Sequence, residues 1–431
     1  MQYYSLNKIA PNTNFKTATL NGQAPDKGLY FPANIPKIDA EFFKNIENIS
    51  YADIAFKVIA PYVGNTINNA DLFAIVADTI NFSIPIIPIT NNISALELYH
   101  GPTLAFKDIG ARFMSRCLGH FVKNSNNNIT VLVATSGDTG GAVANGFYNV
   151  QGVNVVILYP SGKVSNVQEQ QLTTLGKNIT ALEVNGNFDD CQAMVKAAFL
   201  DADLQQHLNV TSANSINVAR WLPQQFYYFF AYKQWLNKNM PPVISVPSGN
   251  FGNLCAGLMA YTSGLPVQHF IAACNANNVV PNFFATNSYT PQKAIPTISN
   301  AMDVGDPSNF IRILEIFNNN IPSLKTMVSS CSITDTATTQ TLLEVFKTHN
   351  YLLDPHGAVA YNALQSYLHI NPNHKGLLLE TAHPIKFYDV VEPIINQPIA
   401  IPPAIKAQLK ATKNSIKINA GFQHLKNYLM P

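Results

Sequence analysis

From about residue 96 the chain alternates wholly apolar runs with stretches of helical spacing, and no other feature limits its fold so strongly. Runs such as Ile129–Ala134, Val153–Tyr159 and Ile179–Val184 read as strands buried on both faces. Strands of that kind belong in parallel sheets covered by helices on either side. Helices are predicted over Phe106–Phe121, Gly140–Tyr148, Gln168–Leu175 and Asp189–Leu200, between and around those strands. A second run starts near residue 220 with an aromatic-rich helix, Trp221–Trp235, and a break at Pro241-Pro242. Strand Val243–Val246, helix Leu254–Tyr261, strand Val267–Ala273 and a late strand, Gly376–Leu379, follow. The expected fold class is α/β, with two doubly wound parallel-sheet domains around a central cleft and an N-terminal cap. Residues 1–95 are expected to form the cap, 96–220 the smaller domain, and 221–431 the larger domain with a Pro-rich, then amphipathic tail. Residues 290–335 read as an irregular polar insertion near the cleft, and Asn124–Asn128 as a polar loop.

A chain of 431 residues suits two or three domains sharing a cleft, and 47% hydrophobic residues allow sizeable cores. The net charge of +2 offers no field for nucleic acid, so the expected partners are small molecules. No apolar run approaches the roughly 18 residues that span a bilayer, and MQYYSLNK has no signal-peptide pattern. Five dispersed cysteines without a C-x-x-C pair fit a reducing compartment, and a cytoplasmic location is expected. The ten histidines show no metal-ligand spacing, so no metal site is expected. Monomer and homodimer are both compatible with the sequence.

Four short segments carry chemistry. Lys107 lies in LYHGPTLAFKDIGARFM, after the Gly101-Pro102 turn and between Phe106 and Asp108. An amine attacks an aldehyde only when burial or positive charge lowers its pKa, and Leu104, Ala105 and Phe106 can bury it. A surface lysine paired with Asp108 is the plainer alternative. Arg112, five residues on, is read as near the lysine and able to help hold an anion. In VATSGDTGGAVA a strand runs through Thr135, Ser136, Gly137, Asp138 and Thr139 into a small-residue helix. Such a start can bind a carboxylate or phosphate through its N–H groups, or Asp138 and Thr139 can simply cap the helix. VPSGNFGN repeats the strand, loop and helix order without a Walker lysine. Amides from Gly249, Asn250, Phe251, Gly252 and Asn253 can hold one phosphate, which fits a small phosphorylated cofactor better than a dinucleotide. In LLLETAHPIKF, Thr381 leaves a buried strand where a cleft opens, with a hydroxyl able to meet a ring nitrogen; His383 is as readily structural.

Taken together, HGPTLAFKD, ATSGDTG, SGNFGN and TAHP-x-KF resemble the threonine synthase family. That family consists of pyridoxal-phosphate enzymes with a tryptophan-synthase-β-like fold. KGLYFP, SANSIN at Ser212–Asn217 and SNAMDVG at Ser299–Gly305 extend the resemblance over nearly the whole chain. The 106 residues before the lysine resemble the bacterial and fungal branch. The resemblance implies pyridoxal 5'-phosphate joined to Lys107, its phosphate on 249–253, and its pyridine nitrogen beside Thr381. It implies a substrate carboxylate on Thr135 to Thr139. The implied substrate is O-phospho-L-homoserine, and Arg112, Lys163, Asn214 and Arg220 are candidates for its phosphate. A serine/threonine dehydratase or related phospholyase, giving a 2-oxo acid and ammonia, is the alternative on the same fold.

Overall fold

The computed structural model describes residues 1–123 and 128–430, so the polar loop expected at Asn124–Asn128 lies almost wholly outside the described residues. The strands in chain order are β1 (Tyr3–Ser5), β2 (Tyr30–Pro32), β3 (Ile86–Pro88), β4 (Ile93–Glu97) and β5 (Ile129–Ala134). They continue as β6 (Val153–Pro160), β7 (Ile179–Asn185), β8 (Asn209–Ser212) and β9 (Val243–Pro247). The last are β10 (His269–Cys274), β11 (Val328–Ser332), β12 (Gly376–Glu380) and β13 (Ile416–Asn419). One sheet has the order β13-β7-β6-β5-β8 and is parallel throughout. The other has the order β11-β10-β9-β12-β4-β3, parallel except where β3 pairs antiparallel with β4. A small antiparallel β1-β2 pair completes the set among the described residues.

Strand order places the cleft. From β5 the chain winds outward through β6 and β7, then returns to put β8 on the other side of β5. From β9 it winds outward through β10 and β11, then returns to put β12 on the other side of β9. Beyond the carboxyl ends of strands at such a reversal, neighbouring loops part and leave a crevice. The segments beginning at Thr135, Ser248 and Thr381 leave β5, β9 and β12 at those points.

Sheet membership departs from the linear division of the sequence in two places. β3 and β4 belong to the six-stranded sheet, β4 beside β12, although β3 falls in the expected cap and β4 straddles its end at residue 95. The tail strand β13 pairs with β7, Ile416 opposite Leu182, and so joins the smaller sheet instead of the 221–431 segment. Its helix Phe422–Leu429 packs Leu425 into the same core as Leu182 and Met194. The 290–335 stretch is also less irregular than its composition suggests, with helices Phe310–Ile316 and Ile321–Met327 and then β11. β11 escapes the pattern because it is an edge strand, VSSCS, in which only Val328 is buried. The aromatic helix expected over Trp221–Trp235 is broken into Val218–Trp221, a 3-10 turn at Leu222–Gln225, and Phe226–Gln234. Pro223 supplies no N–H to a continuous helix.

The helix Lys107–Val122 sits between the two sheets' helices because small residues let it approach both. A Cβ at Gly110 would lie 2.4 Å from the Arg220 carbonyl oxygen, and one at Gly146 about 3.1 Å from the Ala111 backbone. These contacts set where its first residue, Lys107, stands.

Candidate active site

Lys107 opens its helix from a loop stitched to the end of β12. Phe106 N–H donates to the Thr381 carbonyl (2.9 Å), His383 N–H donates to the Leu104 carbonyl (3.0 Å), and Ala105 bridges Ala382. Leu104 takes the left-handed conformation (φ 59°) that turns the chain. Asp108 does not pair with the lysine. Its buried carboxyl accepts from the Thr103 N–H (2.9 Å) and hydroxyl (2.5 Å), and burial raises its pKa. Asp108 thus fixes the turn and leaves the Lys107 amine free of its own neighbour.

The amine is half-buried, its side chain 19% exposed, with Nζ 5.3 Å from the Phe106 ring centre and 3.9 Å from Asp138 Oδ2. Burial holds its pKa below the ordinary lysine value; Asp138 and Asp354 oppose that, while Lys386 and Arg220 reinforce it. An amine so placed is a better nucleophile and base near neutral pH than a surface lysine.

Two loops carry unengaged N–H groups, one of them holding Asp138. In the loop after β5 the Thr135 hydroxyl accepts from Gly137 N–H (3.0 Å) and Gly140 N–H (2.8 Å), so it shapes the turn. The N–H groups of Ser136, Asp138 and Thr139 donate to no protein acceptor among the described residues. Gly137 has φ 136°, and a Cβ there would strike Gln168 at 2.4 Å. In the loop after β9, none of the N–H groups of Gly249 to Asn253 has a protein acceptor among the described residues. Phe251 is left-handed (φ 62°) and caps the helix Gly252–Thr262. Asn250 is held by Ser215 Oγ (2.9 Å) and the Ser308 N–H (2.7 Å), and Asn253 Nδ2 donates to the Pro247 carbonyl (2.8 Å). The asparagine side chains therefore brace the loop while its amides face outward, a donor set suited to an anion at a helix start. Gly249 is required by packing, since its Cβ would lie 2.6 Å from Met302 Cα.

Behind Thr381 lies a buried polar cluster that the sequence did not disclose. Asp354 Oδ2 accepts from the Ala382 N–H (3.2 Å), and Oδ1 accepts from His356 Nδ1 (2.6 Å). His356 Nε2 accepts the Ala301 N–H (3.1 Å), tying the chain at Ala301–Met302 against the 249 loop. Glu380 Oε1 accepts from the Asp354 N–H (2.6 Å), whereas its buried Oε2 has no partner and would lie 1.6 Å from a Cβ at Gly357. Burial, then the neighbouring Asp354, raise the Glu380 pKa well above its ordinary 4.5, so folding favours its neutral form. The folded state then binds a proton that the unfolded chain has lost. Stability from Glu380 is full below the unfolded pKa and declines as pH rises toward the folded one. Glu380→Gln, which mimics the neutral acid, is expected to flatten that decline in denaturant melts carried out over a series of pH values above the ordinary carboxylate range.

The four candidates for a second anion separate clearly. Arg112 points away from the cleft. Its guanidinium donates to the Thr79 carbonyl (3.1 Å), the Asp78 carbonyl and Asn81 Oδ1 (3.0 Å), and lies 3.6 Å from the Asp78 carboxylate. Five residues along a helix is about 140° of rotation, which carries Arg112 off the face that presents Lys107. Lys163 is exposed in the loop after β6. Asn214 donates to the Ala134 carbonyl at 3.4 Å. Arg220 is buried beside Lys107, its Nη1 only 3.4 Å from the Lys107 carbonyl, with Nε unpartnered and burial lowering its pKa to about 10. His383 accepts the Ile385 N–H at Nδ1 (3.1 Å) and so caps the turn Pro384–Phe387. A residue missed from the sequence is Lys386, fully buried and 2.9 Å from Asp138 Oδ1; its apolar neighbours Ile385 and Phe387 were the signal.

An aldehyde cofactor with a phosphate tail fits these residues: a half-buried amine, a loop of free amides closed by a packing-required glycine, and a Thr381 hydroxyl, unpartnered among the described residues, on the segment hydrogen-bonded to the Lys107 loop. Fold and site together define a pyridoxal-phosphate dependent enzyme. The family described as pyridoxal-phosphate dependent enzymes matches residues 89–377. Threonine synthase N terminus matches residues 2–80, and threonine synthase, C-terminal, matches residues 357–429. The chain is 41% identical to threonine synthase of Buchnera aphidicola subsp. Acyrthosiphon pisum, over 100% of both chains. It is 40% identical to that of Escherichia coli (strain K12), over 100% of this chain and 99% of the other. The crystal structure of threonine synthase from Escherichia coli superposes with a TM-score of 0.93, covering 100% of this chain and 99% of that one. The pyridoxal-phosphate-bound threonine synthase from Brucella melitensis gives 0.92 at 31% identity, covering 100% and 98%. The chain belongs to the threonine synthase family. A fungal L-serine ammonia-lyase, at 15% identity and TM-score 0.56 over 72% of this chain, shares the fold alone.

Proposed function

We propose that this protein converts O-phospho-L-homoserine and water to L-threonine and phosphate. What supports the reading is one half-buried amine, Lys107, with Nζ 3.9 Å from Asp138 in a loop whose main-chain N–H groups lack acceptors among the described residues, on a fold that carries a second such loop after β9. One loop suits a cofactor phosphate at 249–253, and the other suits a substrate carboxylate at Ser136, Asp138 and Thr139. Bound pyridoxal phosphate supplies an aldehyde carbon for amines and a conjugated ring that accepts electrons when a Cα–H bond breaks. Lys107, released when the substrate amine takes its place, receives the Cα proton. A proton then leaves Cβ as phosphate departs from Cγ, Cγ gains a proton, the hydroxyl of water adds at Cβ while its other proton goes with the phosphate, and a proton returns to Cα before Lys107 displaces threonine. Thr381 offers a neutral hydroxyl to the pyridine nitrogen, which tempers electron withdrawal compared with a carboxylate. Arg220 is the strongest candidate for the substrate phosphate, with Asn214 and Lys163 behind it; Arg112 belongs to the fold. The same reading places the protein in the cytoplasm, supported by five free cysteines, as a monomer or homodimer. Among the described residues no helix is long and apolar enough to cross a membrane.

The test is to incubate the purified protein, cofactor and phosphohomoserine, and to measure threonine against 2-oxobutyrate. Threonine with stoichiometric phosphate is the expected product. A keto acid and ammonia would instead identify a lyase of the dehydratase type.

A further inference from the structure

Lys386 is the one lysine of the described residues that is completely buried, and all three of its N–H donors have acceptors. They reach the Thr103 carbonyl (2.8 Å), Gln171 Oε1 (2.8 Å) and Asp138 Oδ1 (2.9 Å). These partners come from the Lys107 loop, the Asn166–Thr173 helix and the start of the Asp138–Phe147 helix, so Lys386 joins the end of the larger sheet to the smaller one. Gln168 Nε2 holds the same Asp138 oxygen at 2.9 Å. Only the second oxygen, Oδ2, is left, and it lies 3.9 Å from Lys107 Nζ. Resting on the reaction proposed above, we infer that Lys386 is a positioning residue: it pins Asp138 so that the free carboxylate oxygen stays turned to the Lys107 nitrogen as its counter-charge.

An ion so placed steadies the amine when it carries the transferred proton, without taking that proton itself. Lys107 is faced by Asp138, Lys386, Arg220 and Asp354, and Lys386 also acts on Asp108 and His383. Asp138 favours a charged Lys107 nitrogen and Lys386, as a like charge, disfavours it, so the pinning is read from how much of the Asp138 effect remains once Lys386 is replaced.

The test uses the full-length holoenzyme, following cofactor absorbance as a function of pH without substrate and, separately, the pH profile of kcat. Asp138→Asn is expected to lower the titration midpoint of the nitrogen shared with Lys107 by about one pH unit. Lys386→Met is expected to shrink the shift that Asp138→Asn produces, so that the double variant titrates within roughly a few tenths of a pH unit of Lys386→Met alone, and kcat should fall about 10-fold or more in both single variants. An Asp138→Asn midpoint unmoved in the wild-type background, or a full shift retained once Lys386 is replaced, overturns the inference. Should the Lys386→Met chain not fold, Lys386→Gln, which keeps a donor toward these oxygens, carries the same comparison. A wild type that makes no threonine defeats the reaction itself and leaves the substrate-free titration standing.

Discussion

Lys107→Ala is expected to abolish the cofactor's visible absorbance and to lower threonine formation by at least about 10³-fold. The size of the effect follows from the amine having two tasks at one nitrogen, joining the aldehyde and carrying the Cα proton. No other described residue is placed to substitute. Lys386 is fully buried with three acceptors engaged, and Lys163 lies exposed in a separate loop. The fold should survive, because among the described residues the side chain makes no hydrogen bond, only a 3.9 Å ion pair with Asp138 and a contact with the Phe106 ring. Melting temperature and absorbance, measured together, distinguish a lost site from a lost fold. Full turnover in the alanine variant would remove Lys107 from the chemistry altogether.

Arg220→Gln should reduce kcat/KM for phosphohomoserine by about 10²–10³-fold, while cofactor absorbance stays as in wild type. Three buried arginines differ in how fully they are paired. Arg312 donates to the Ser215, Tyr30 and Ile216 carbonyls and to Asn309 Oδ1, and lies 4.2 Å over the Trp221 ring. Arg112 is held by two carbonyls, Asn81 and Asp78. Arg220 has a single long bond to the Lys107 carbonyl. A buried charge without a partner costs several kcal/mol, and a dianion entering beside it would relieve that cost. For the same reason, Arg220→Gln should leave the melting temperature of the substrate-free protein unchanged or higher. A lowered melting temperature with unaltered kcat/KM would make Arg220 structural. Inorganic phosphate, as a competitive inhibitor, should lose its effect in the variant.

Much of the architecture is visible in the one-dimensional pattern because buried parallel strands must be apolar along their whole length. β5, β6, β7 and β9 are read almost to the residue for this reason. β11 and β13 are not, since edge strands bury little: only Val328 in the first, and no residue fully in the second. The glycine loops after β5 and β9 are legible because a backbone that must approach a ligand or a neighbouring chain excludes side chains. At Gly249 that neighbour is Met302, more than fifty positions away in a stretch that reads as irregular.

Local order therefore determined which segments are strands, which loops carry free amides, and which lysine opens a helix behind an apolar turn. Tertiary structure alone decided which charged groups share the cleft. Helical rotation turned Arg112 toward Asp78, although it lies only five residues from Lys107. Return of the chain to β12 brought Thr381 and Lys386 to the lysine from more than 270 residues away. The physical reason is that backbone preference and apolar periodicity act within one element. The partner of a buried charge is chosen by sheet order, which nothing inside either element encodes.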